Sequence, residues 1–278
     1  MRAATARRED NRLTLQTDSA HCMLASSRSQ KTRLAWMALG FGLLASLYAA
    51  LLVKQDIEQD AAKLFAFSCD QVALKIQERL SAYALILRGG AALFAASESV
   101  ARDDWRTYVE ILRASGSVPG VQGIGFAQVI PPDQLAAHVA RMRGEGFPDY
   151  RIRPPGERPL YTSIIYLEPF RDRNLRAFGY DMYAEPVRRA AMERARDTGE
   201  ASLSGKVQLV QETTTDVQAG TLLYVPVYRR DAPVNTVEER RTALLGWVYS
   251  PYRMNDLMSG LLHDWASQDA LSVDLDIY

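Results

Sequence analysis

Leu34–Val53, LAWMALGFGLLASLYAALLV, runs for twenty residues without a charge or a proline. As an α-helix rising about 1.5 Å per residue it is roughly 30 Å long, the thickness of a bilayer core. Its flanks are asymmetric. Arg28, Lys31 and Arg33 precede it, whereas Lys54, Asp56, Glu58 and Asp60 follow. The positive-inside rule then places the N-terminus in the cytoplasm and everything after Val53 outside. A cleaved signal peptide is the rival reading, because Ala49–Ala50 offers small residues at the far end. Against it, the apolar run exceeds the usual stretch of about 7–15 residues and a long segment precedes it. Residues 1–33 carry seven basic and three acidic residues with few large apolar ones, which predicts a disordered cytoplasmic tail.

Working outward, residues 54–96 are expected to form a stalk helix. Cys69, Val72, Ile76, Leu80, Tyr83 and Leu87 recur at spacings of three and four, while Asp70, Lys75, Gln77, Glu78 and Arg79 occupy other faces. The stripe can be covered by its own domain, by a second copy of the helix, or by both at different heights. A second helix is expected near Ser99, with Asp103 and Asp104 at its positive end and Trp105, Tyr108, Val109 and Leu112 on its buried face. Val121–Ile130 reads as a strand, and Pro132 opens a helix through Asp133, Leu135, Val139 and Met142. Tyr150–Arg153 and Tyr161–Leu167 read as strands. Pro186–Thr198 reads as a charged helix ended by Gly199. Lys206–Glu212, Gly220–Tyr228 and Ala243–Tyr249 read as strands before a short helix bearing Met254, Leu257, Met258 and Leu261. The order predicts an α+β domain with antiparallel strands, in two sheet-forming halves at about 97–155 and 156–262.

The whole chain has 278 residues, 47% hydrophobic and 24% charged, which excludes a disordered or collagen-like polymer. Lys+Arg and Asp+Glu both number 33, so nothing in the charge marks a nucleic-acid binder. Three His (His21, His138, His263) and two Cys (Cys22, Cys69) are too few and too scattered for a zinc site or a Cys–His nucleophile. No cofactor is called for.

The glycines of 119–125 (PGVQGIG) continue into a strand, so a bent strand is favoured over a phosphate cradle, which needs a helix N-terminus there. Arg188, Arg189, Arg194 and Arg196 alternate with Glu185, Glu193 and Asp197, the pattern of a solvated helix face. Glu168 ends an apolar strand beside Tyr166 and Phe170, where a desolvated carboxylate can accept a ligand's N–H groups. The alternative is an ion pair with Arg171, Arg173 or Arg176. Ser202 and Ser204 have no His within thirty residues to act as base. Binding is the chemistry that remains.

The strings PGVQGIGFA (119–127), YTSIIYLEPFRDRNLRAFGYDM (161–182), EPVRRAAMERARDTGEASLSGKVQLVQET (185–213), LLYVPVYR (222–229) and LLGWVYSPYRMNDLM (244–258) resemble the CHASE domain, the extracellular sensory module of cyclases and histidine kinases. The resemblance covers roughly residues 90–262. It implies a stalk helix and two PAS-like subdomains outside the membrane, between two transmembrane helices. It also implies that ligand occupancy passes to a histidine kinase or to GGDEF and EAL cyclic-di-GMP modules, which this chain does not contain. In the plant cytokinin receptors of the family an aspartate and a threonine hold an adenine-type hormone. The aspartate's counterpart here falls at Glu168 or Pro169, of which Glu168 is the chemically sensible choice, and the threonine's at Ser204, with Tyr166 and Tyr224 expected to line the same cavity.

The resulting expectation is a non-enzymatic sensory and anchoring region. It comprises a tail (1–33), a transmembrane helix (34–53), a stalk (54–96), a sensory domain (97–262) and the start of a return towards a second span (263–278). Its partners would be the membrane, a small adenine-like or amino-bearing ligand and a second copy through the stalk, with no nucleic acid. A tethered extracytoplasmic hydrolase and a ligand-free dimerisation module are the alternatives.

Overall fold

The computed structural model describes residues 3–115, 121–212 and 217–262, with side chains from Thr32 onward and as far as Ser259. The expected return at 263–278, and residues 119–120 of the glycine-rich stretch, lie outside the described residues. Two compact units divide at Val72/Ala73.

The first unit is helical throughout its described length. Helix α1 spans Ala3–Ala96. Residues 3–33, expected as disordered, belong to it, consistent with good helix formers uninterrupted by Gly or Pro. Among the described residues one helix is long and apolar enough to cross a membrane, and its large apolar side chains at 34–53 are exposed, Trp36 to 72% and Phe41 to 76%.

The second unit is a sheet with helices on both faces. Helix α2 (Arg102–Ala114) starts where the Asp104 carboxylate accepts the Ala101 backbone N–H at 2.9 Å. Strand β1 (Ile124–Ile130) and a Pro132-led turn precede α3 (Leu135–Gly144). Strand β2 is Tyr161–Glu168. Helix α4 (Pro186–Thr198) has its first N–H groups capped by Glu185 and ends at left-handed Gly199, φ 77°. Short strands β3 (Ser202–Leu203) and β4 (Val207–Gln208) lead to β5 (Ala219–Tyr228). Helix α5 (Val237–Ala243), strand β6 (Leu244–Arg253) and helix α6 (Met254–Leu262) complete the described chain.

The α+β class with antiparallel strands stands, but the two halves share one sheet. Its order is β2-β1-β6-β5-β3, with β4 also on β5. Strand β1 of the first half is held by β2 and β6 of the second, so the first half has no sheet of its own and β2 joins the other strands only through β1. Expected strand Tyr150–Arg153 reduces to one bridge, Arg153 to Tyr180, because its N–H and C=O groups serve the Gly179–Asp181 backbone instead. Of Lys206–Glu212 only Val207–Gln208 pairs.

The last turns of α1 and helix α2 cover one face: Tyr83, Leu87, Trp105 and Val109 pack on Phe126, Val248 and Tyr252. Ile76 and Leu80 join this cluster, so the stalk stripe from Ile76 to Leu87 is covered by its own domain. Trp105 is fully buried and donates its indole N–H to the Ile124 carbonyl; an indole of this size contributes roughly 4–6 kcal/mol on burial, as an upper bound. On the opposite face Ala191, Met192 and Ala195 of α4 pack on Tyr224, Trp247 and Tyr249.

Candidate functional site

Four residues were expected in one cavity: Tyr166, Glu168, Ser204 and Tyr224. The strand order separates them. Tyr166 and Glu168 lie on edge strand β2, and Ser204 follows edge strand β3, with β1, β6 and β5 between. Four strand spacings amount to roughly 19 Å across the sheet, too far for one small ligand to span.

At the β2 edge, Glu168 is 6% exposed. Its Oε2 accepts the Phe170 N–H at 2.9 Å and its Oε1 lies 3.7 Å from Arg106 Nε. An ion pair therefore forms, but with an arginine of α2. Arg171 instead reaches Asp172, and Arg176 donates to the Glu212 carbonyl. The Tyr166 hydroxyl donates to the Val100 carbonyl at 2.7 Å, and its ring lies beside Trp105 and Phe126.

An aromatic cluster beside these residues is invisible in the sequence. The Arg102 guanidinium carbon stands 4.6 Å from the ring centre of Phe147, 5.2 Å from Tyr166, 5.4 Å from Phe178 and 5.7 Å from Phe170. Its Nη1 donates to the Ile165 carbonyl at 2.9 Å, whereas Nη2 is buried with no hydrogen-bond partner and lies 4.0 Å from Glu145. Desolvation by the rings lowers the Arg102 pKa.

At the β3 edge, Ser204 lines a cavity of about 430 Å³ with Thr221 of β5 and Met254, Asn255 and Met258 of α6. The hydroxyl of Ser204 is already engaged: it donates to the Gly205 carbonyl at 2.8 Å and accepts the Leu222 N–H at 3.0 Å. Thr221 in turn donates to the Ser204 carbonyl at 2.7 Å. Ser204 thus shapes the wall of the cavity. Tyr224 is wholly buried beneath α4, its hydroxyl against the Met182 sulfur at 3.5 Å, and burial raises its pKa far above the usual phenol value. It packs the core and lines none of the cavities described here.

Sequence reasoning also passed over Asp181, which is completely buried. Its Oδ1 accepts the Thr162 N–H, the Thr162 hydroxyl at 2.6 Å and the Tyr183 N–H, while Oδ2 faces Arg158 Nε at 3.4 Å. Desolvation raises its pKa against those donors. The arrangement ties the 153–160 loop to β2. His138, a candidate base only through tertiary contact, reaches Ser163 by way of Tyr150 at 2.7 and 2.5 Å, not Ser202 or Ser204. Ser163 is fully buried, so this chain of hydroxyls is a packing element rather than a nucleophile. Among the described residues no three His, Cys, Asp or Glu side chains converge to hold a metal.

Residues 98–278 match the family model described as the CHASE domain. A curated relative, hybrid signal transduction histidine kinase A of Dictyostelium discoideum, is 27% identical over 135 residues, 46% of this chain. The chain spans 6% of that relative's length. Among solved structures, the ligand-binding domain of the Pseudomonas aeruginosa PAO1 amino-acid chemoreceptor PctC, in complex with GABA, aligns with TM-score 0.40 and 11% identity over 69% of this chain and 63% of its own. The periplasmic sensory domain of the Campylobacter jejuni chemoreceptor Tlp1 aligns with TM-score 0.37 and 10% identity, over 72% of this chain and 61% of its own.

Proposed function

The chain belongs to the CHASE domain family, and from that premise we propose that it is the sensory and anchoring region of a receptor spanning the membrane once or more. Its N-terminus faces the cytoplasm and its sheet domain lies outside, where it binds a small molecule. The observation that carries this reading is the exposed apolar surface of Leu34–Val53 on the helix that leads into the sensory domain. Such a surface is stable against lipid and costly against water. The output module, a histidine kinase or a cyclic-di-GMP enzyme, belongs to the parent protein rather than to these residues, and the sensory region itself carries out no catalysis.

The cavity beside Ser204 is the sensing site in this proposal. Ser204, Thr221 and Asn255 surround it with polar groups, and Met254 and Met258 make its apolar wall. Those two methionines also pack on the cluster that holds Ile76 and Leu80 of the stalk. A ligand that prefers one packing of α6 against the stalk shifts the receptor by no more than its difference in affinity for the two packings. A small planar or amino-bearing molecule fits this wall. Glu168 and Tyr166, at the other edge, lie outside this cavity. The stalk also supports a homodimer, because Leu64, Phe65 and Phe67 remain exposed.

A thermal-shift screen of small metabolites on the purified chain tests the site. Compounds that raise the melting temperature should lose that effect in Met258→Trp, which fills the cavity. A ligand whose shift survives Met258→Trp binds elsewhere and contradicts the assignment.

A further inference from the structure

Taking the Ser204 cavity as the sensing site, we infer that its ligand is a small monocarboxylate on a planar apolar body, with its charge met by Lys206. Lys206 is the one ionisable residue lining the cavity, and no Asp or Glu lines it. Lys206 and Asn255 are exposed at its walls, and neither side chain has a hydrogen-bond or ion-pair partner among the described residues. The hydroxyls of Ser204 and Thr221, by contrast, serve the Gly205 and Ser204 carbonyls and the Leu222 N–H. The side-chain groups left for a ligand are an ammonium with three donors and one carboxamide.

The described acids on the flanking segments are already paired. Asp256, in the first turn of α6, accepts from Arg253, Gln122 and Gln218. Glu212 holds Arg253 at 2.9 Å, and Glu200 holds Arg88. A ligand ammonium entering the cavity therefore meets a like charge and no open carboxylate. A ligand carboxylate meets Lys206 in a charge-assisted hydrogen bond, and Asn255 offers its amide N–H to the same group. One lysine balances one negative charge, which favours a carboxylate over a phosphate carrying close to two. Leu203, Met254 and Met258 wall the rest of the cavity, and methionine thioethers adapt to a ring and contact it favourably. Lys206 lies between β3 and β4, whereas Asn255 is on α6. A carboxylate held by both ties that connection to the helix whose Met254 and Met258 pack with Ile76 and Leu80 of the stalk.

Calorimetric titration of the full chain in detergent, at neutral pH and low salt, tests this with phenylacetate, phenylacetamide and phenethylamine. The three share one ring and differ in charge. Phenylacetate should bind saturably, about three- to fivefold more tightly than the amide, the scale of an exposed ion pair, and roughly tenfold or more tightly than the amine. Lys206→Gln, on the surface, should bring phenylacetate down to the amide's affinity and leave the amide unchanged. Lys206→Arg should keep the preference, and Lys206→Glu should reverse it in favour of the amine. Asn255→Ala should weaken acid and amide alike, about twofold. No saturable phenylacetate binding, phenylacetate no tighter than phenylacetamide, or a preference that survives Lys206→Gln overturns the inference. The sensing site itself is read separately: if Met258→Trp abolishes whatever binding is seen, the cavity stands without its charge preference, and binding that survives Met258→Trp removes both.

Discussion

The ring of Tyr83 on α1 stacks on the ring of Tyr252 on β6, with centroids 5.2 Å apart and planes 18° from parallel. The contact joins the stalk helix to the strand that continues directly into α6. Both side chains are buried. Tyr83→Ala or Tyr252→Ala should each cost about 3 kcal/mol in chemical unfolding of the purified chain. The double variant should cost less than the sum of the two by about 0.5–1.5 kcal/mol, the coupling of a stacked pair. Strict additivity would mean that the two rings do not support each other.

Acid should destabilise the domain through His138. Burial, with the nearby Arg141 charge, holds its imidazole down to about 4. Arg141 Nη2 donates to Nδ1 at 3.1 Å, so Nε2 carries the proton towards the Tyr150 oxygen. Burial pushes the Tyr150 phenol up to about 12, which keeps it protonated and able to donate to Ser163. Because the folded pKa lies below the unfolded value of about 6.5, the contribution is complete above pH 6.5. It is lost as the pH falls from about 6.5 towards 4, by roughly 3 kcal/mol. His138→Gln should flatten that part of the profile of unfolding free energy against pH. A variant with the wild-type slope would remove His138 from the explanation.

Much of this architecture is written in local patterns. The apolar run at 34–53, strand Tyr161–Glu168, helix Pro186–Thr198 and the left-handed Gly199 all follow from period, capping and chain stiffness within a few residues. The helix Val237–Ala243 was not read from the sequence, although its start signal is equally local. Thr236 and Glu239 cap it reciprocally, each side chain accepting the other's backbone N–H. What local pattern does not encode is which strands become neighbours. The single sheet depends on β1 pairing with β6, more than a hundred residues away. The same limit scattered the site. Glu168 finds Arg106, and Arg102 gathers residues 147, 166, 170 and 178, through contacts no spacing rule connects.

Ser204→Ala should act chiefly on stability. Removing the hydroxyl leaves the Leu222 N–H without its 3.0 Å acceptor and should cost about 1–3 kcal/mol. Ser204→Thr keeps the acceptor oxygen and should recover part of that loss. Unfolding free energies of the two variants settle the matter, and an alanine variant as stable as the wild type would show that the wall does not rely on this bond.

Cys69 is a free, half-buried thiol on the stalk stripe. In a homodimer joined along the stalk, mild oxidation of membranes with copper-phenanthroline should yield a disulfide-linked dimer on a non-reducing gel, lost in Cys69→Ser. Absence of a Cys69-dependent band would place the dimer contact on another face of the helix.

Sensing from outside the cell requires that the chain cross a membrane between residues 34 and 53 with its sheet domain outside. Paired fusions of a reporter enzyme active only in the cytoplasm, one at residue 30 and one at residue 270, measure this directly. Activity at residue 30 and none at residue 270, with the mature chain still carrying its first fifty residues, is the predicted result. Activity at residue 270 alone, or a mature N-terminus near residue 51, would contradict it.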